Sequence, residues 1–140
     1  MQIPGHLTVA LAQYRLFFYR NRQKEIIGPL LLASLFPDVV DKAIGYIFKL
    51  MPNGRHYAHN IFSLVGFSAI VTLIWGRVVG LAWFVGYLGH LLADSEGLVP
   101  WLFPLRCYPF QRGRLEFDPR QLLKEMSWLI LMLLTLRLTR

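Results

Sequence analysis

The sequence predicts an all-α fold, an integral membrane bundle of about four to five helices with a polar site at one membrane face. Three observations lead there. Hydrophobic residues make up 55% of the 140-residue chain and charged ones only 16%, against roughly 25% charged in an average soluble domain. The apolar residues fall in five runs of helical length, and every histidine lies at an end of one of those runs. With a mean hydropathy of +0.43, there is more apolar surface than one small core can hide, since a domain of this size buries only about 68–70% of its unfolded surface. The same composition excludes intrinsic disorder, collagen-like repeats and coiled coil. A single domain, residues 1–140, is expected.

The first run, 6–19, comes after Pro4 and Gly5 rather than after the positive n-region of a secretory signal, so His6 is expected in the mature protein. The second, 26–37, closes at Phe36-Pro37, where proline pushes the preceding residue out of helical geometry. A short helix with a sharp stop is predicted, with Asp38 just beyond it in an N-cap position. Residues 38–58 carry the turn signal Met51-Pro52-Asn53-Gly54 and then Arg55-His56-Tyr57-Ala58-His59. The third and fourth runs, 60–75 and 78–93, are joined by Gly76-Arg77 and form a helical hairpin. Gly66, Ser68, Ala69, Gly80, Gly86 and Gly89 should let these helices approach closely. A proline-rich irregular loop is expected over 95–126, before the last run, 127–138. Each run is shorter than the roughly 20 residues that span a bilayer core, so flanking aromatics and snorkelling Arg or Lys must extend it.

The net charge is +7, from 15 Lys+Arg against 8 Asp+Glu. The cations gather beside apolar runs, at Arg15, Arg20, Arg22 and Lys24 and again at Arg106, Arg112, Arg114, Arg120 and Lys124. Membrane lipids, not nucleic acid, are therefore the expected partners. Cys107 stands alone, which excludes an intrachain disulfide and a multi-cysteine zinc site.

If successive runs cross the membrane, their ends sort onto alternate faces. His6, Asp38, Asp41, His56, His59, His90, Asp94 and Glu96 then share one face, and Arg15 to Lys24, Arg77, Arg137 and Arg140 the other. The positive-inside rule barely separates the two; the dense basic loop after the first run favours that loop as cytoplasmic.

His90 and Asp94, at i and i+4, project from one helix face and suit a shared cation, although a hydrogen-bonded pair at a helix end has the same spacing. Asp38 and Asp41 are capping residues or ligands; His56 and His59 are interfacial aromatics or ligands, with His59 the better candidate; His6 starts a helix or ligates. Together His6, Asp38, His59, His90 and Asp94 offer three nitrogen and two carboxylate ligands, enough for a divalent metal, zinc first and manganese as the alternative. A bound metal would activate water, Asp41 or Glu96 would take its proton, and Arg55 would hold a phosphate or a lipid head group. Hydrolysis competes with a non-enzymatic alternative, in which the His/Asp cluster of a membrane protein binds or conducts ions or protons, and with a plain structural module.

The ordered motifs GH, LFPDVVDK, GRHYAHN, GYLGHLLAD and G-x-x-P-x-x-x-P, over residues 5–105, resemble those of the prokaryotic membrane-bound metal-dependent hydrolases of the YdjM-like group. The resemblance implies an inner-membrane location and the metal set His6, Asp38, His59, His90 and Asp94. The H-x-x-x-D pair is also similar to that of the zinc-dependent phospholipase C and single-strand nuclease group, which implies phosphoester substrates. Gly54, Ala58 and Val40 depart from the family pattern at a His, a Thr and a second acid, which favours one metal over two.

Overall fold

The computed structural model describes residues 1–19, 24–52, 54–95, 99–109 and 118–138. Among them are five α-helices and no strand: α1 (Ile3–Gln13), α2 (Ile27–Lys42), α3 (Ile61–Trp75), α4 (Arg77–Ala93) and α5 (Pro119–Leu138). Pro4 stands in the first turn of α1, where its missing N–H has no intrahelical partner to lose. α1 runs on into a π-helical turn, Tyr14–Phe18, and α2 into another, Ala43–Ile47.

The sharp stop expected at Pro37 does not occur, because α2 continues through this buried proline to Lys42. Proline inside a helix removes one N–H and crowds the carbonyls one turn earlier. One turn before the proline, the Ser34 carbonyl accepts a 2.7 Å hydrogen bond from His90 Nδ1, which ties α2 to α4 at this level. Asp38 is consequently no cap; Asp38, Asp41 and Lys42 stand at i, i+3 and i+4 on one helical face.

Asn60 starts α3. Its backbone is extended and its Oδ1 accepts from the Ser63 N–H at 2.9 Å, which occupies one of the free first-turn donors. The expected hairpin between α3 and α4 forms, and Gly76 makes it possible with a φ of 88°, which a side chain would resist. The loop expected over 95–126 is shorter, because α5 begins at Pro119 and takes Glu125 into its second turn.

α4 is the central helix, touching α1, α2 and α3, whereas α5 lies against α1. At the α2–α4 crossing a Cβ on Gly86 would collide with the Leu30 carbonyl, so the backbones meet almost directly. Gly80 makes room for the Thr72 side chain and Cα of α3, and Gly89 for the side-chain amide of Gln13 on α1. Gly66 and Ala69 do not take part: nothing lies near Gly66, and both face outward on α3. The core has two clusters, Ala10, Tyr14, Phe18, Ile26, Leu30 and Ala82 among α1, α2 and α4, and Ala33, Leu64, Tyr87, Leu91 and Val99 nearer the other end.

No helix among the described residues is long and apolar enough to cross a membrane. α1 has 11 residues, and α5, the longest at 20, carries Arg120, Lys124, Glu125 and Arg137. The helical content and helix number are as expected, while spanning is not a property of any one helix. The outer surface is nonetheless apolar: Phe62, Val65, Ile70, Leu73 and Ile74 of α3 and Leu16 and Phe17 after α1 are all exposed, Leu73 at 85%.

Gly86→Val should force α2 and α4 apart, costing about 1–3 kcal/mol through overpacking. Thermal unfolding of the detergent-solubilised protein checks this, and an unchanged midpoint would contradict the close crossing.

Candidate metal centre

α1, α2, α4 and the loop that enters α3 send chemically active side chains to one end of the bundle. His6 stands in the first turns of α1, Asp38 and Asp41 in the last turns of α2, His59 in the loop entering α3, His90 in the last turn of α4, and Asp94 at its C-cap. All six are buried. Ligand atoms of Asp38, His59, His90 and Asp94 lie within 4.8 Å of one another, and the four could hold a metal ion. His6 adjoins them, with Nε2 3.5 Å from Asp94 Oδ1 and 3.9 Å from Asp38 Oδ2, its ring stacked on His90 at 4.0 Å.

The donor chemistry fits a cation. His59 Nδ1 lies 2.8 Å from Asp41 Oδ2 and His90 Nδ1 2.7 Å from the Ser34 carbonyl. A carboxylate and a carbonyl can only accept, so each Nδ1 carries a proton and, in the neutral ring, each Nε2 is left with a lone pair. Those two Nε2 atoms face each other at 3.1 Å. Two lone pairs in that position repel unless something positive lies between them. Two nitrogen ligands of one tetrahedral zinc, each bonded at about 2.0–2.1 Å, stand about 3.3 Å apart. His6 adds a second sign, because both its ring nitrogens are buried with no hydrogen-bond partner.

Asp41 sits behind this set. Its oxygens accept from the backbone N–H groups of His56 (2.7 Å), Ala58 (2.9 Å) and His59 (3.1 Å) as well as from the His59 ring. A carboxylate so occupied fixes both the ring angle and the tautomer of His59. The 56–59 loop is held from its other side by Asn60 Nδ2, which donates to the His56 and Tyr57 carbonyls, and by Tyr87 OH, which donates to the Ala58 carbonyl at 2.6 Å. His56, weighed as a ligand in the sequence, turns its buried ring edge-on to Phe103 at 5.7 Å.

Two charged residues that the sequence did not single out contact the site residues or the turn that carries His6. Lys42 Nζ pairs with Asp38 Oδ2 at 2.6 Å, one turn along α2. Glu125, buried on α5, accepts from the Gly5 N–H at 2.9 Å and the Gln2 N–H at 3.1 Å, placing a negative charge on the free donors of the α1 N-terminus. A Cβ on Gly5 would overlap that carboxylate. An acid within an otherwise apolar helix was the available signal for Glu125.

Arg55 lies 3.0 Å from Asp94 Oδ2, and the Met1 amine 2.6 Å from Asp94 Oδ1. Burial pushes the Asp94 carboxyl up, yet the Met1 amine, Arg55 and His6 together outweigh it and hold the group down at about 2. Glu96 lies outside the described residues, as do Arg20, Arg22, Arg112, Arg114 and Arg140.

The family model described as YdjM inner membrane protein matches residues 1–139. The chain belongs to that family. No curated protein and no solved structure matches it, so the likeness to the zinc-dependent phospholipase C and nuclease group gains no support.

Asp41→Asn keeps the size of the side chain but removes the anion that orients His59. It should weaken metal binding about 10–100-fold, the usual cost of losing such a partner. Competition with a chromophoric chelator reads this directly, and wild-type affinity in the variant would contradict the orienting role.

Proposed function

We propose that this member of the YdjM inner membrane protein family is a metal-dependent hydrolase, seated in the prokaryotic cytoplasmic membrane and acting on phosphoester bonds of lipid or membrane-proximal substrates. The observation that carries the reading is the pair of opposed Nε2 lone pairs of His59 and His90, flanked by Asp38, Asp94 and the unpartnered ring of His6. Imidazole and carboxylate donors in this ratio suit zinc, with manganese as the alternative. Such an ion supplies Lewis-acid polarisation of a phosphoryl or acyl oxygen and activation of water.

The protein's own share of the chemistry is positioning. Asp41 and the Ser34 carbonyl set the tautomers of His59 and His90, so both rings offer Nε2 without rearrangement. Asp41 commits its oxygens to four donors, which suits orienting better than accepting a proton from water. Glu96, close to Asp94 in sequence, is the proton acceptor in this reading. Arg55 stands 34% exposed beside Asp94, at the mouth of the site, where an anionic group would arrive. The phosphoester class rests on the H-x-x-x-D pair and on this cation.

The exposed apolar faces support a membrane seat, since a helix that is hydrophobic on every side, as α3 is, belongs in a core or in lipid. Lipid contact would satisfy those side chains even where single helices are short, through bilayer thinning and snorkelling arginines.

The protein purified in detergent should contain stoichiometric zinc or manganese by inductively coupled plasma mass spectrometry, and His90→Ala and Asp94→Ala should each lose it. A metal-free wild type, even after reconstitution with zinc, would sink the hydrolase reading. The protein should also stay in the membrane pellet through alkaline carbonate extraction; release into the supernatant would count against the membrane seat.

A further inference from the structure

Besides the Met1 amine on Asp94 Oδ1, the rim of the metal centre carries two side-chain cations that are not among its candidate ligands. Lys42 Nζ reaches Asp38 Oδ2 at 2.6 Å, and an Arg55 guanidinium nitrogen reaches Asp94 Oδ2 at 3.0 Å. The cations are part-exposed, 40% for Lys42 and 34% for Arg55, while the two carboxylates are 8% and 1% exposed. Each pair therefore runs from solvent inward, with the positive head outermost. The two heads also lie on adjoining backbone. A Cβ on Gly54 would come within 3.1 Å of Lys42 Cγ and 3.3 Å of Lys42 Cα, so the chain just before Arg55 rides on Lys42 itself.

Both cations hold carboxylates that belong to the four-residue metal group. Asp38 turns Oδ1, not the Oδ2 that Lys42 holds, toward His59 and His90, while Asp94 Oδ2 faces both Arg55 and His59. A metal ion there would compete with Arg55 for Asp94 and draw off the negative charge that holds Lys42. The charge balance changes with it. Asp38, Asp41 and Asp94 supply three negative charges, which Lys42, Arg55 and the Met1 amine balance, so a divalent ion leaves an excess of positive charge. An ammonium beside a guanidinium fork is an arrangement that recognises a tetrahedral oxyanion, whose several oxygens take donors from both.

We propose that Lys42 and Arg55 form a metal-gated subsite for the phosphoryl group of the substrate. Without the ion they close on Asp38 and Asp94; with it they turn to the anion. This rests on the metal-centre reading and names two residues that select the substrate class.

The test is titration calorimetry of inorganic phosphate into the detergent-solubilised protein, loaded with zinc and freed of excess metal, with chelator-treated protein alongside. Zinc-loaded wild type should bind phosphate at least roughly tenfold more tightly than the chelated form. Lys42→Gln and Arg55→Gln should each keep wild-type zinc content and helical circular dichroism, yet weaken phosphate roughly tenfold or more, the value of a charge-assisted hydrogen bond. Arg55→Lys should recover part of the loss. Variants that keep zinc and bind phosphate like wild type overturn the subsite alone. Variants that lose zinc along with phosphate overturn it too, since the cations would then serve only to hold the carboxylates. A wild type that takes up no zinc overturns the subsite together with the metal-centre reading.

Discussion

A buried carboxylate must be met by donors or it destabilises the fold, and the way Asp41 meets that requirement organises the rest of this end of the molecule. Three of its donors are backbone amides of one short loop and the fourth is the His59 ring. The same anion thus shapes the 56–59 segment, aims His59 and ties the end of α2 to the start of α3. Remove it, and the loop amides and the ring lose their acceptor together. The other ties to the loop, from Asn60, Tyr87 and the Ile61–Trp101 backbone bond, act on a segment that Asp41 has already placed.

The helices bring the groups to that anion because each reversal of the chain returns it to the same end. α4 is central and closely approached, with Gly86 against α2, Gly80 against α3 and Gly89 against α1. Three neighbours can crowd one helix only where side chains are small. The rigidity this gives matters more for the site than for stability, since His90 finds the Ser34 carbonyl only if α2 and α4 stay in register.

Much of this was legible in the sequence. The α3–α4 hairpin was, because two uninterrupted apolar runs meet at a glycine that can take positive φ. The gathering of His6, Asp38, His59, His90 and Asp94 followed from counting which helix ends face which way, and needed no side-chain geometry. The continuation of α2 through Pro37 was not legible, because the proline signal is local whereas the packing of α2 along α4 is not. A backbone carbonyl such as that of Ser34 leaves no trace in residue type. Asp41 read as a proton acceptor because its partners are main-chain amides, which every residue has. Gly66 and Ala69 had the right size for a helix contact but face away from α4, and the weak apolar asymmetry of α3 gave no way to tell its inner face. Lys42 and Glu125 were not singled out, because a single charge carries no sign of the partner it meets.

Glu125 has a consequence for the order in which the protein is made. It reaches back 120 residues to hold the first turn of α1, and α5 leans on the bundle through α1. During translation the hairpin α3–α4 and its partner α2 are all synthesised before α5 leaves the ribosome. Four of the candidate ligands can therefore gather while the α1 N-terminus still lacks its anion. α2 and α4 already hold α1, and His6 stacks on His90, so what α5 adds is the carboxylate on the free N–H groups of the turn that carries His6.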